Sequence, residues 1–210
     1  MPMEARLRTV APGDRMTVEE FFRVAPEDRK AELIDGVIVM PSPAFDLHEN
    51  VQGLLFSVLR LYAESGDFGI VRGSRTALKM GIEYHAYEPD ILFVSRARAD
   101  IVKEEGVFGA PDLVIEILSR GTKTIDRGLK RRVYGAAGVA ELWLIDPESE
   151  KASRFYQRLT PKSEMIEVKF VDGVLRSTTV PGFFLRAEWL WPAGEKLPRV
   201  IDVLRELGVI

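Results

Sequence analysis

Acidic residues in apolar surroundings are the first chemistry this sequence offers. The stretch 110–119, APDLVIEILS, has the apolar residues of a strand covered on both faces, Leu113, Val114, Ile115, Ile117 and Leu118, with Glu116 in its middle. Side chains alternate along a strand, so Asp112, Val114, Glu116 and Leu118 share one face. Burying an ionised carboxylate costs several kcal/mol or more unless it is paired or binds a metal. Two roles fit Glu116: a salt-bridged or edge-exposed structural carboxylate, or a functional carboxylate acting as a metal ligand. Two more acids stand at strand positions, Glu32 in AELIDGVIVM and Asp90 in EPDILFVS. Proline is tolerated at a strand start, which leaves Asp90 at the end of the sheet. Either acid could equally be a solvated or turn-forming carboxylate. Carboxylates that converge bind a hard cation, Mg²⁺ or Mn²⁺. Such an ion polarises a phosphoryl oxygen and acidifies bound water, and a nearby lysine offsets developing charge. Lys130, on the helix expected after the central strand, supplies that amine. These parts suit phosphodiester hydrolysis.

The elements that must position them follow from local signals. Thr17 and Glu20 form a capping box for a helix over 18–24, which ends near Pro26. Asp35-Gly36 turns a hairpin within 31–40. After Pro41-Ser42-Pro43, apolar residues at helical spacing predict a helix over 47–63. His48 lies in its first turn, where a surface or capping histidine and a supporting site residue are both open. Strands are expected at 69–80 and 89–95, and an exposed loop or short helix at 96–109. Thr122 or Thr124 can cap a helix running to Ala137, with Gly138 as its stop. On it Asp126, Lys130 and Tyr134 fall at i, i+4 and i+8, on one face; a routine Asp126–Lys130 ion pair is the plain alternative. The strand at 141–146 then completes a βαβ crossover. Strands over 152–159, 165–171 and 174–180 follow, with Asp172-Gly173 as a hairpin turn, and a short helix lies near 198–207. Phe183, Phe184, Trp189 and Trp191 read as core or subunit contact.

Composition bounds the partners. The 210 residues suit one domain with additions: an arm over 1–16, a single domain over 17–190 and a tail over 191–210. Without cysteine, disulfides and zinc–thiolate sites are excluded, and two histidines argue against a multi-histidine site. The sequence has neither an apolar run of membrane-spanning length nor a signal-peptide pattern, so no membrane partner and a cytoplasmic location are expected. A net charge of −3 gives no global basic footprint. The local exception is 120–132, with six basic residues against Asp126, a charge of +5. Arg127, Arg131 and Arg132 could meet phosphates there.

The stretches ELIDGVIVMPSP, EPDILFVS, APDLVIEILSRGTKTIDRGLKRRVYGAAGVAELWLIDP and VPGF closely resemble the UMA-type putative restriction endonuclease family of the PD-(D/E)XK nuclease superfamily. The likeness spans residues 17–190. It implies an α/β (α+β) fold with a restriction-endonuclease-like αβββαβ core and a mixed sheet, extended by an N-terminal hairpin and C-terminal antiparallel strands. It also implies a metal-dependent nuclease site. Asp90 matches the motif aspartate, Glu116 the acid of the (D/E)XK element, and Glu32 the upstream acid. Asp126, Lys130 and Tyr134 match the family's D-x-x-x-K-x-x-x-Y pattern. The superfamily lysine belongs two residues after the acid, where this chain has Leu118; Lys130 is the candidate substitute. A DNA endonuclease is the leading expectation, with Asp112 and His48 in support and a homodimer suited to duplex DNA. A non-cleaving nucleic-acid-binding module and a protein-interaction module on the same fold are the alternatives.

Overall fold

The computed structural model describes residues 14–26, 28–40, 46–119, 126–194 and 196–210; the side chains of Asp126 and Arg127 lie outside the described part. Thr17 caps the first helix, Val18–Val24 (α1). Its hydroxyl accepts from the Glu20 amide at 3.2 Å, and the Glu20 carboxylate accepts from the Thr17 amide at 2.8 Å. The reciprocal pair satisfies donors that a helix start leaves open. The hairpin of Glu32–Ile34 (β1) and Val37–Val39 (β2) turns through Asp35 and Gly36 at φ 51° and 79°. Two successive positive φ angles give the turn whose twist matches its strands.

A Cβ added at Gly36 would stand 2.6 Å from Arg15 Cβ. Gly36→Ala is therefore expected to cost about 1–3 kcal/mol, read as an earlier midpoint in urea with an unchanged slope. The hairpin places Glu32, one of the candidate acids, at the first position of β1.

The main sheet has six strands. Asp46–Ser65 (α2) leads into Gly69–Gly73 (β3), and the chain continues through Leu78–Lys79 (β4) to Ile91–Ser95 (β5). Val102–Lys103 (β6), Gly106–Phe108 (β7) and Leu113–Ile117 (β8) follow. A π-helical turn, Asp126–Lys130, runs into Arg131–Ala137 (α3), which stops at Gly138 in the left-handed region, φ 97°. Glu141–Ile145 (β9), Arg154–Arg158 (β10) and Met165–Val168 (β11) complete the sheet in the order β11-β10-β9-β8-β5-β3. The β8–β9 pair is parallel and the other neighbours are antiparallel, so the expected mixed sheet and βαβ crossover are present. The candidate caps Thr122 and Thr124, the Pro41–Pro43 break and residues 1–13 of the N-terminal arm lie outside the described residues.

Alternation along β8 sorts the core. Leu113, Ile115 and Ile117 join Ile91, Phe93 and Trp143 under α2, on the side that also packs Val203 and Leu204 of the last helix, Val200–Glu206 (α5). Val114 and Leu118 join Leu92, Leu142 and Leu144 against Val133 and Tyr134 of α3. Glu116 shares the parity of this second set, so a carboxylate enters the α3 side of the core, where it is 2% exposed.

Some expectations fail locally. The stretch 69–80 is two strands, since Arg75 turns the chain at φ 70° and neither parity offers a continuous apolar face. The segment 96–109 forms a 3₁₀ turn, Arg96–Ile101, and the β6–β7 hairpin, which joins β4 in a small sheet. Val174–Arg176 (β12) pairs with Phe184–Arg186 (β13) and meets the preceding strand region only through Val171. Asp172 and Gly173 do turn there, at φ 49° and 73°. Phe183 stacks 6.3 Å from Trp143 and meets Tyr62 edge-on at 5.1 Å, while Trp189, in the short helix Ala187–Leu190 (α4), is buried. These tail aromatics are core of their own chain. Among the described residues no helix is long and apolar enough to cross a membrane.

Candidate active site

Register builds the site. Ile91 pairs with Ile115 and Leu92 with Val114 across the antiparallel β5–β8 ladder. Continued by one residue, that register sets Asp90 opposite Glu116 on the same face, where directly opposed side chains are close neighbours. The Ile117 amide donates to Asp90 Oδ2 at 2.8 Å and ties the aspartate to the strand that carries Glu116.

Each carboxylate is held by cations and donors. Lys130 Nζ donates to Glu116 Oε1 at 3.1 Å and lies 2.9 Å from Glu32, so one ammonium bridges two carboxylates. The Tyr134 hydroxyl donates to Glu116 Oε1 at 2.6 Å. Burial, reinforced by the charges of Glu116 and Glu32, pushes the Tyr134 phenol well above its usual range, which keeps it a neutral donor. Tyr87 closes the group, its ring 5.3 Å from Lys130 Nζ and 5.3 Å from the Tyr134 ring. Lys130 and Tyr134 reach Glu116 together because they are one helical turn apart.

Asp90 has a separate set of partners. Lys30 Nζ donates to Oδ1 at 2.9 Å, and His48 Nε2 lies 3.4 Å from Oδ2. Gln52, one turn after His48 on α2, donates to the Asp90 carbonyl at 3.3 Å. Burial alone would raise the Asp90 carboxyl, but Lys30, His48 and the Ile117 amide outweigh it and hold the group well below the usual carboxylate range. Neither Lys30 nor Gln52 is among the residues singled out from sequence. Both had a signal: Lys30 stands two before Glu32, and Gln52 stands four after His48.

Burial lowers the His48 imidazole, yet the hydrogen bond and charge of Asp90, with Glu49, raise it overall above its ordinary value near 6.5. Protonated His48 therefore stabilises the fold fully below about pH 6.5, and that contribution disappears as pH rises through the folded-state value. The expected result is an imidazole NMR titration displaced to higher pH. The stability difference between wild type and His48→Gln should also shrink across the same interval.

Other expected residues sit elsewhere. Asp112 precedes β8 and accepts from the Ser95 amide at 2.7 Å and from Arg98 at 2.8 Å. Four residues of strand, about 13 Å, separate it from Glu116, so it anchors a turn and does not join the cluster. Arg131 and Arg132 are exposed and line a separate cleft of about 330 Å³ with Arg158 and Glu164; Arg131 also lies over the Tyr156 ring at 4.6 Å. Leu118, at the position of the superfamily lysine, is buried in the α3-side core.

In donor chemistry the cluster fits a hard divalent cation: three buried carboxylates, with an imidazole that faces Asp90 through Nε2 and has Nδ1 3.5 Å from Glu49. Among the described residues, however, no three acidic or histidine side chains stand together as a preformed ligand set. Ammonium groups occupy carboxylate oxygens: Lys30 lies on Asp90 Oδ1, and Lys130 lies on Glu116 Oε1 and Glu32.

A crystal structure of a putative nuclease belonging to DUF820 from Anabaena variabilis is similar to this chain over 91% of it and 99% of that protein, with a TM-score of 0.63 and 21% identity. That likeness shows the fold. Comparison with curated proteins finds no match. Residues 18–188 match the Uma2 family, described as putative restriction endonucleases, and this stretch holds all six charged members of the cluster. The match covers most of the chain and makes it nuclease-like: it belongs to the Uma2 putative restriction endonuclease family.

Proposed function

We propose that this chain hydrolyses phosphodiester bonds of nucleic acid, with DNA as the expected substrate and Mg²⁺ or Mn²⁺ as cofactor. The supporting observation is the register that opposes Asp90 and Glu116, tied by the Ile117 amide. A buried ionic cluster is a poor way to stabilise a core, since well-packed apolar residues often do as well or better. Three buried carboxylates with two lysines thus favour a chemical role.

Asp90 and Glu116 would hold the ion, with Glu32 assisting directly or through water. When bound, the ion supplies charge stabilisation at a phosphoryl oxygen and a more acidic water. Lys130 bridges Glu32 and Glu116 and holds them in place, and Tyr134 fixes Glu116 Oε1. His48 and Gln52 orient Asp90 from α2. Arg131 and Arg132 could add phosphate contacts outside the site, and a cytoplasmic homodimer acting on duplex DNA belongs to the same proposal. Arg127 and Asp126 are candidates whose side chains lie outside the described part.

The test is incubation of the purified protein with supercoiled and linear DNA in Mg²⁺ or Mn²⁺ and, separately, in EDTA. Cleavage confined to the metal-containing reactions is expected. A non-cleaving nucleic-acid-binding module is the second reading, favoured by Leu118 in the lysine position and by ammonium groups on the carboxylates. Metal-independent, salt-sensitive DNA binding without cleavage would select it.

A further inference from the structure

The two lysines of the cluster are not equivalent. The side chains of Glu116, Lys130, Glu32 and Asp90 are 3–6% exposed, that of His48 is 12% exposed and that of Lys30 is 24% exposed. A solute approaching the cluster therefore meets Lys30 first. Lys130 is enclosed by Glu32, Glu116 and the Tyr87 ring, so its withdrawal would leave two carboxylates without their shared counter-ion. Lys30 lies in the irregular segment before β1 and rests on Asp90 Oδ1. If Lys30 swings away, Asp90 keeps the Ile117 amide and His48 on its other oxygen. An ammonium on a flexible four-carbon stem can change partners in this way, and it binds phosphate as a compact point charge.

We propose that Lys30 is the ammonium that contacts the phosphate of bound nucleic acid, while Lys130 is a positioning residue that never leaves its two glutamates. This assignment rests on the nucleic-acid reading above. It supplies from the segment before β1 the cation that the strand lacks at Leu118. In this arrangement the incoming phosphate draws Lys30 off Asp90 and frees Oδ1, which would then be open to a divalent cation.

Two measurements test it. In the first, the intact protein is treated briefly with an amine-acetylating reagent, with and without a short DNA duplex in Ca²⁺, and acetylation at each lysine is read by peptide mass spectrometry. Lys30 should label and Lys130 should not, and the duplex should slow Lys30 labelling at least about fivefold. In the second, anisotropy of the labelled duplex is followed across a salt series for wild type, Lys30→Met and Lys30→Arg. Lys30→Met should weaken binding about five- to tenfold and make the log–log salt slope shallower by about one. Lys30→Arg keeps the positive charge and should retain most of the affinity and the slope. If the duplex binds wild type but leaves Lys30 labelling unchanged, or if Lys30→Met keeps the affinity and slope, Lys30 is a counter-ion for Asp90 alone and the nucleic-acid reading survives without it. If wild type binds no duplex, both the reading and this assignment fail. Should Lys30→Met not fold, the labelling result on wild type still decides.

Discussion

Replacing Lys130 by methionine is expected to destabilise the protein by about 3–5 kcal/mol, the usual consequence of stranding buried charge. The substitution keeps most of the side-chain volume and removes the ammonium that lies 2.9 Å from Glu32 and 3.1 Å from Glu116. Both glutamates are at most 4% exposed, so water cannot replace the lost partner without opening the core. For a chain of this size the loss corresponds to a fall in Tm of roughly 6–20 °C. The cause separates from simple packing loss through a second substitution. Adding Glu116→Gln to Lys130→Met removes one of the stranded charges, so the double variant should be more stable than Lys130→Met alone. Additive losses would mean that the ammonium is not the counter-ion inferred from the geometry.

Glu116→Gln alone should reverse that pattern, with a small change in stability and a large change in chemistry. Glutamine keeps a carbonyl oxygen for the Tyr134 hydroxyl and for Lys130, and Lys130 retains the full charge of Glu32. Only the negative charge is lost. If Glu116 is a cation ligand, DNA cleavage should fall by more than the roughly 10–100-fold typical of an outer-shell partner. Folding, checked by urea midpoint, should shift by about 1–2 kcal/mol at most. Asp90→Asn should lower cleavage similarly and cost more stability, because Asp90 serves three side-chain or amide partners. Cleavage at wild-type rate in either variant would remove that residue from the site.

Much of this is legible in the sequence. Glu116 was conspicuous because ionised residues are so costly inside a run such as LVIEIL. Lys130 and Tyr134 shared a helical face by spacing alone, and the structure turns that face to Glu116. What was not legible depends on distant pairing. Periodicity cannot say that residues 90 and 116 lie opposite one another, since that follows from the β5–β8 register. Asp112 had the right parity but the wrong place: strand alternation holds only where the strand runs, and β8 begins at Leu113. Lys30 stands two residues before Glu32, but its partner Asp90 lies 60 residues away, so the sequence does not show the contact. The stretch 69–80 misled for the opposite reason, since its β-branched content outweighed the turn at Arg75.

Calorimetric titration of Mn²⁺ into wild type and into Glu116→Gln, both verified as folded and both with a non-cleavable duplex present, is the most direct test of the central claim. The claim is that Asp90, Glu116 and Glu32 form a hard-cation site whose oxygens are covered by Lys30 and Lys130. It predicts saturable binding in wild type that disappears in the variant. Equal binding in both proteins, or none in either, would contradict it.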